Sequence, residues 1–290
     1  MGNIENYIVL LLLTLISSCS QSISYQASKE SPLIIPGYQL VWNEEFDKKG
    51  KPDSVSWSHE KGFQRNQELQ YYQLENANVQ DGVLVIEGRR EKIQNENYDQ
   101  TSQDWRKKLE FGQYTSASIH TRGKKSFQFG VVEVRARIDT AMGLWPAIWT
   151  LGESGGWPAN GEIDIMEYYL VKGKPTILAN AAWAHENKRA AWDEATVQFS
   201  HFIEKDPDWV EKFHVWKMDW TKESIKIYLD NELLNEVDLT RTINPDGNNP
   251  FHQPHYILLN LAIGSNGGNP ASTLFPKKYE VDYVRVYQKK

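Results

Sequence analysis

The sequence has a single cysteine among its 290 residues and no excess of positive charge. One cysteine cannot form a disulfide within the chain, so a disulfide framework and a cysteine-rich zinc site are both excluded. Lys and Arg number 32 against 38 Asp and Glu, a formal net charge of −6. Binding to nucleic acid requires clustered basic residues, so no nucleic-acid partner is expected. Aromatic residues reach 12% of the chain, which indicates a folded, aromatic-rich protein.

A short apolar run, YIVLLLLTLI, occupies residues 7–16. A membrane-spanning helix needs roughly 20 apolar residues, whereas a run of about half that length is typical of a secretory signal. The run continues into Ser-Ser-Cys at Cys19, and this segment resembles the lipobox of bacterial lipoproteins. The resemblance implies that residues 1–19 are a signal whose Cys19 receives lipid; the alternative is a plain secretory signal with an incidental cysteine. Residues 20–36 are typical of a flexible tether. We therefore expect an exported bacterial lipoprotein, membrane-anchored in the periplasm or at the cell surface.

The rest of the chain, residues 37–290, is predicted to form one all-β domain. Period-two alternation of apolar and polar residues, or nearly continuous β-branched and aromatic sequence, predicts strands. The clearest predicted strands are 83–86, 129–138, 224–230, 255–262 and 280–287. Asp-Gly, Asp-Asn and Gly-Gly pairs between them are typical of turns. Many short strands without an internal repeat favour two stacked antiparallel sheets, as in a β-sandwich or jelly roll.

Three acidic residues, Glu162, Asp164 and Glu167, lie within the segment GEIDIMEY. On a regular strand Glu162 and Asp164 share one face, and Met166 rather than Glu167 would follow them on it. One extra residue at a β-bulge restores the phase and returns Glu167 to the acidic face. The spacing therefore predicts a bulged strand with three carboxylates on one side and apolar side chains on the other.

Clustering three carboxylates costs free energy because like charges resist joint ionisation. Retaining glycosidases nevertheless need two carboxyl groups about 5–5.5 Å apart, one as nucleophile and one as proton donor. A flat strand would hold Glu162 and Glu167 too far apart, so we expect a concave sheet over which their side chains converge. The alternatives are a solvated acidic strand face and a calcium site.

The surrounding motifs resemble glycoside hydrolase family 16, in its laminarinase-type branch with a bulged catalytic strand. The resemblance spans about residues 38–288. It is carried by GEIDIMEY together with GLWPAIW at 143–149, GWP at 156–158, VWNEEF at 41–46, NQELQYY at 66–72, YTSA at 114–117, FG at 129–130 and VDYVRV at 281–286.

This resemblance implies a concanavalin A-like jelly roll with a concave cleft for polysaccharide, and hydrolysis with retention. By position, Glu162 resembles the nucleophile and Glu167 the acid/base, while Asp164 resembles the residue that orients the nucleophile. The expected pKa of Glu167 is raised by the two neighbouring acids. No cofactor is expected for catalysis.

Aromatic and amide residues of these motifs resemble positions that contact sugars in the family. The candidates are Trp145, Trp149 and Trp157, whose indole faces suit the C–H faces of pyranose rings, and Asn66, which resembles a residue that hydrogen-bonds a donor-side sugar. The alternatives are core positions for the tryptophans, above all Trp149, and a turn for Asn66.

The sequence departs from common laminarinases after the acidic strand. NAAWAH at residues 180–185 precedes a long polar insertion that reaches about Glu211. A long insertion in a compact domain is usually functional. We expect this one to wall the cleft on the leaving-group side, with Trp183 and His185 as candidate sugar contacts. For His185 the alternative is a simply solvated side chain.

The family often carries a structural calcium ion away from the catalytic site. Matching positions here are Glu45, the backbone carbonyl of Gly82, and Asp282. An Asp282 that forms a salt bridge is the alternative.

The sequence thus predicts a monomeric, lipid-anchored endo-glucanase that cuts β-1,3 or mixed-linkage β-1,3/1,4-glucan. An endo-β-galactosidase acting on a galactan or host glycan is the alternative with the same chemistry. A non-catalytic glycan-binding lipoprotein and a lectin-like calcium protein are alternatives of other classes.

Overall fold

The computed structural model describes residues 31–290, apart from the side chain of Lys188. The predicted signal, the lipidated Cys19 and most of the predicted tether lie outside the described residues. In the described part, no helix is both long enough and apolar enough to cross a membrane.

Within residues 31–290 the chain forms nineteen β-strands, most of them short. In chain order they are β1 (Tyr38–Glu44), β2 (Ser58–His59), β3 (Gln70–Tyr72), β4 (Ala77–Gln80), β5 (Val83–Gly88), β6 (Ile93–Gln94), β7 (Phe111–Gly112), β8 (Tyr114–Ser116), β9 (Ser118–His120), β10 (Gly130–Ile138), β11 (Leu144–Gly152), β12 (Glu162–Val171), β13 (Lys174–Ala184), β14 (Ala190–Gln198), β15 (His214–Trp220), β16 (Ser224–Leu229), β17 (Glu232–Asp238), β18 (His255–Ile263) and β19 (Lys277–Lys289).

Helical structure in the same part of the chain is limited to single turns. The α-helices are α1 (Trp105–Lys108) and α2 (Ser200–Ile203), and the 3-10 turns are Leu74–Asn76, Glu186–Lys188, Trp209–Glu211, Leu239–Arg241, Ser265–Gly267 and Pro270–Ser272.

Two large antiparallel sheets carry the fold, which confirms the predicted jelly-roll sandwich. One sheet has the strand order β17-β16-β15-β10-β19-β5-β4, with β1 also paired to β19. The other has the order β14-β13-β12-β11-β18-β9-β2. The acidic strand β12 therefore lies inside the second sheet, between β11 and β13. All five strands predicted from alternation are present, with ends that differ by a few residues.

The core lies between the two sheets and explains the alternation. In β15, every second residue from His214 to Trp220 is buried while the residues between them are partly exposed. Every residue of β18 is buried, as its nearly continuous apolar sequence predicts. Burial of apolar surface is the dominant favourable term in folding, and here it fixes which face of β12 points away from the core.

The segment predicted as a polar insertion is more regular than expected. Residues 190–198 form β14, which pairs with β13 along its full length and becomes the edge of the second sheet. Exposed residues alternate with partly buried ones along β14. The insertion therefore widens the sheet that carries the acidic residues.

Candidate active site

The predicted bulge is present in β12. From Asp164 to Glu167 this strand advances three residues, while β11 and β13 each advance two. The extra residue lies at Ile165 and Met166, which are both fully buried in the core. Two consecutive core-facing residues bring Glu167 back to the side of Glu162 and Asp164.

A cavity of about 480 Å³ lies over this acidic face. All three acidic residues line it, together with four tryptophans and a set of polar residues from other strands and loops. The full lining is Arg65, Asn66, Glu68, Trp145, Ala147, Trp149, Leu151, Trp157, Glu162, Asp164, Glu167, Tyr169, Asn180, Trp192, Glu194, Asn260 and Asn266.

Asp164 connects the two glutamates. Its side chain is 1% exposed and hydrogen-bonds to the side chains of both Glu162 and Glu167. Asn180 of β13 donates from Nδ2 to Asp164 Oδ2 at 3.3 Å and to Glu167 Oε2 at 3.5 Å. The three carboxyl groups therefore form one continuous hydrogen-bonded row.

Burial sets the protonation of this row. Burial and the charge of Glu162 raise the pKa of Glu167 to about 8, against the lowering effect of a hydrogen bond from Trp145. Burial raises the pKa of Glu162 to about 7, while a hydrogen bond from Trp157 and the charge of Arg65 lower it. Burial and both glutamates raise the pKa of Asp164 well above its usual value. The row can hold protons near neutral pH, as acid/base chemistry requires.

Each of the two glutamates accepts a hydrogen bond from an indole. Trp145 Nε1 donates to Glu167 Oε1 at 2.8 Å, and Trp157 Nε1 donates to Glu162 Oε2 at 2.9 Å. Trp145 is 7% exposed and Trp157 is 55% exposed. These two predicted sugar-contact residues thus line the cavity and also touch the acidic residues.

Trp149 lines the cavity although it is largely buried. Its Nε1 donates to Asn260 Oδ1 at 2.7 Å, and it packs in a small apolar cluster on the outer face of β11. The Arg65 guanidinium lies 5.1 Å from the centre of its ring. Trp149 is therefore buried in this small cluster and also lines the cavity, and its role as a sugar contact stays a prediction.

Asn66 is placed at the cavity by a tight turn. Its φ of 54° lies in the left-handed region, which Asn tolerates better than most residues. It donates to Glu68 Oε1 at 3.2 Å. Glu68 also accepts from Gln70 at 2.6 Å and from Tyr72 at 3.5 Å. Burial raises the pKa of Glu68.

Trp183 and His185 lie elsewhere in the structure. Trp183 packs against the core between the sheets, and neither residue belongs to the described lining of the cavity. His185 is exposed beyond the end of β13. Alternation explains Trp183: Asn180 of the same strand faces the cavity, and a residue three positions later faces the other way. The cavity gives no support to either residue as a sugar contact, and that role stays a prediction.

Several cavity residues were not predicted as site residues. Arg65, Glu68 and Asn260 come from segments far apart in the sequence, and no local spacing links them. Trp192 and Glu194 lie two residues apart on the edge strand β14. Strand alternation could therefore have predicted that both side chains lie on the same exposed face.

The two predicted carboxylate ligands of calcium, Asp282 and Glu45, are engaged in ion pairs. Asp282 Oδ2 accepts from Arg135 at 2.6 Å, and Glu45 Oε1 accepts from Arg285 at 2.9 Å. Asp282 Oδ1 is buried without a hydrogen-bond partner. Nevertheless, residues 31–290 contain no group of three or more His, Cys, Asp or Glu side chains that could hold a metal. Since arginines already neutralise both carboxylates, Glu45, Gly82 and Asp282 do not fit a calcium site here.

A jelly-roll sandwich with a bulged acidic strand beneath an aromatic cavity defines a glycoside hydrolase. The model of glycosyl hydrolases family 16 matches residues 87–285. The chain belongs to this family.

Known proteins similar to the chain carry related activities. The beta-glucanase of Rhodothermus marinus is 34% identical over 96% of this chain and 93% of its own length. The solved structure of SCLam, a non-specific endo-β-1,3(4)-glucanase, is 34% identical, covers 90% of this chain and 95% of its own, and has a TM-score of 0.71. Another structure belongs to work on endo-acting O-glycanases with which prominent human gut bacteria initiate mucin breakdown. It is 36% identical, covers 90% of this chain and 94% of its own, and has a TM-score of 0.80.

Proposed function

We propose that this protein hydrolyses internal bonds of β-1,3-glucan or mixed-linkage β-1,3/1,4-glucan with retention of configuration. The observation that carries the proposal is the row of Glu162, Asp164 and Glu167 on the bulged strand, open to one cavity. The similarity to a beta-glucanase and to a non-specific endo-β-1,3(4)-glucanase supports the choice of glucan.

In the first step Glu162 is the nucleophile and Glu167 the acid. The ionised Glu162 carboxylate attacks the anomeric carbon, and the bond from that carbon to the glycosidic oxygen breaks. Glu167 gives its proton to the departing oxygen, so the leaving sugar carries a neutral hydroxyl. Burial favours the protonated form of Glu167, and the N–H of Trp157 favours the ionised form of Glu162.

In the second step the ionised Glu167 acts as the base. It takes a proton from water, and the water oxygen attacks the anomeric carbon while the ester bond to Glu162 breaks. The Trp145 N–H at 2.8 Å stabilises the ionised Glu167 between the two steps. Asp164 hydrogen-bonds to both glutamates and positions them throughout.

Alanine variants with added azide test these roles. With a 4-nitrophenyl β-laminarioligosaccharide, Glu162→Ala should lose almost all turnover and regain it with azide, giving an α-glycosyl azide. Glu167→Ala should form the ester intermediate from this activated substrate, and azide should release a β-glycosyl azide. Product configuration is read by NMR. Thr196→Ala, an exposed position of β14 that does not line the cavity, is the control.

The same experiment separates the classes of function. If Glu162→Ala gave the β-glycosyl azide and Glu167→Ala the α-glycosyl azide, Glu167 would be the nucleophile and Glu162 the acid. Unaltered turnover in both variants would refute the mechanism, and a wild-type protein that binds glucan without cleaving it would be a glycan-binding protein.

A second candidate is endo-hydrolysis of a mucin-type host glycan. The TM-score of 0.80 to a structure from work on endo-acting O-glycanases favours it. Laminarin, barley β-glucan, agar-type galactan and mucin O-glycans, assayed side by side, distinguish the two candidates by their product profiles. Oligosaccharide release from mucin alone would replace the first proposal by the second.

We also propose that the protein is exported and held at a membrane by lipid on Cys19, with residues 37–290 as one monomeric catalytic domain. The apolar run before Cys19 and the polar tether after it support this proposal. Metabolic labelling with a radioactive fatty acid should label the wild-type protein and leave Cys19→Ser unlabelled. Equal labelling of both would contradict the anchor.

A further inference from the structure

The edge strand β14 presents a separate group of residues to the cavity. Trp192 and Glu194 are exposed on one face of this strand, and both line the cavity. Trp192 is 40% exposed, and the centre of its ring lies 6.5 Å from that of Trp157, which is 55% exposed. Large apolar side chains left open in this way at a cavity mark a binding surface.

Strand register fixes where this surface lies relative to the catalytic row. Ala182 of β13 pairs with Glu162 on one side and with Trp192 on the other. Asn180 pairs in the same way with Asp164 and Glu194. Two strand spacings of about 4.8 Å place the Trp192 backbone roughly 10 Å from that of Glu162. The surface is therefore adjacent to the reacting bond.

On the side of the catalytic row away from β14, several residues that line the cavity are buried. Glu68, Asn260 and Trp149 line the cavity there and are 3%, 5% and 9% exposed. Trp149 donates to Asn260, and Tyr72 connects Asn260 to Glu68 through hydrogen bonds. Buried groups joined in this way are fixed in place and suit a sugar that must be held in one orientation. The β14 side is instead open, aromatic and accessible to solvent.

Double displacement requires different properties of the sugar-binding sites on the two sides of the catalytic row. The donor sugar stays bound covalently through both steps, whereas the leaving sugar must depart and water must enter before the second step. An enclosed polar side suits the sugar that stays. An open aromatic side suits the sugar that exchanges, because stacking on indole binds the C–H face of a ring without a rigid set of hydrogen bonds.

We propose that Trp192 and Trp157 form the binding site for the sugar on the leaving-group side of the cleaved bond, with Glu194 accepting a hydrogen bond from one of its hydroxyls. The inference rests on the proposed glycosidase function and adds a specificity-determining residue, Trp192, from the edge strand. An incoming saccharide that competes with water for the ester intermediate would occupy the same site.

The partition between transfer and hydrolysis tests this site directly. The protein is given 4-nitrophenyl β-laminaribioside as donor and excess laminaribiose as acceptor. Mass spectrometry measures the ratio of tetrasaccharide to hydrolysed disaccharide. Both products arise from one intermediate, so the ratio is independent of the rate at which nitrophenol is released. Trp192→Ala should lower the ratio about tenfold, the equivalent of about 1.4 kcal/mol of lost acceptor binding.

Two companion variants separate binding from damage to the fold. Trp192→Phe keeps an aromatic face and should recover most of the transfer. Thr196→Ala lies on the same exposed face of β14 but outside the cavity lining, and should leave the ratio at the wild-type value.

Each other outcome overturns the inference in a recognisable way. An unchanged ratio in Trp192→Ala would show that the surface binds no acceptor. Slower nitrophenol release with an unchanged ratio would place Trp192 on the donor side instead. If the wild-type protein releases no nitrophenol and cleaves no glucan, the proposed glucanase function itself fails and the inference falls with it.

Discussion

Replacing Trp145 by Phe removes one hydrogen bond from the catalytic acid and keeps an aromatic ring in its place. The indole donates to Glu167 Oε1 at 2.8 Å, and this bond opposes the effect of burial on the pKa of Glu167. A hydrogen bond to a charged group is worth roughly 1.5–3 kcal/mol, and one pKa unit corresponds to about 1.36 kcal/mol. Loss of the bond should therefore raise the pKa of Glu167 from about 8 by about one pH unit or more.

The dependence of kcat/KM on pH measures this change. The wild-type rate should fall below about pH 7, as Glu162 binds a proton, and above about pH 8, as Glu167 loses one. In Trp145→Phe the descending limb should move to higher pH by about one unit, while the ascending limb stays in place. Since the carboxyl groups interact, both limbs report apparent values of the coupled row.

Trp157→Phe is the matched control because the same change removes the donor from the other glutamate. Its N–H lies 2.9 Å from Glu162 Oε2, so the ascending limb should move to higher pH. Trp157 is 55% exposed, and water can replace part of the bond, so the movement should be smaller. A descending limb that stays in place in Trp145→Phe, while the ascending limb moves, would refute the assignment of Glu167 as the acid.

Two further predictions concern stability. The pKa of Glu167 is about 8 in the folded protein against an ordinary 4.5, so folding stability is lost as pH rises between these values. At about 1.36 kcal/mol per pKa unit, Glu167→Gln should raise the free energy of unfolding at pH 8 by up to about 4 kcal/mol and change it little at pH 4. Urea denaturation at both pH values checks this, and an equal effect at both would contradict it. A Cβ on Gly152 would lie 2.1 Å from the Asn160 backbone oxygen. Gly152→Ala should therefore cost roughly 1–3 kcal/mol and lower kcat/KM by displacing the Trp157 loop. Gly156→Ala, with open space around its Cβ, is the control; equal stability and activity in the two variants would contradict the prediction.

The acidic strand could be predicted in detail because its information is local. Alternation places Glu162 and Asp164 together, and only one inserted residue brings Glu167 to them. In the structure the bulge consists of Ile165 and Met166, whose side chains both face the core. Strand alternation likewise identified the main strands, since the core between the sheets selects apolar residues at every second position.

The remainder of the site depends on contacts that no local pattern records. Arg65 and Asn260 meet Trp149 only because loops and strands from distant parts of the chain converge on β11. The sequence predicts that the insertion walls the cleft, with Trp183 and His185 as candidate sugar contacts. Strand register places Trp192 toward the cavity and Trp183 toward the core. Successive residues of a strand point to opposite faces, so a difference of one residue decides whether a side chain faces the cavity or the core.

Burial raises the pKa of both glutamates, and a hydrogen bond from a tryptophan partly offsets each increase. This balance explains why tryptophan is the partner of both glutamates. A full positive charge beside each carboxylate would lower its pKa far below neutrality, and Glu167 could no longer donate a proton. An indole N–H adds a donor without a full charge, so each glutamate keeps a pKa near neutral pH. Arg65, whose charge lowers the pKa of Glu162, is itself paired with Glu60. Because the same indoles line the cavity, the residues that contact substrate also set the pH range in which the acid and the nucleophile coexist.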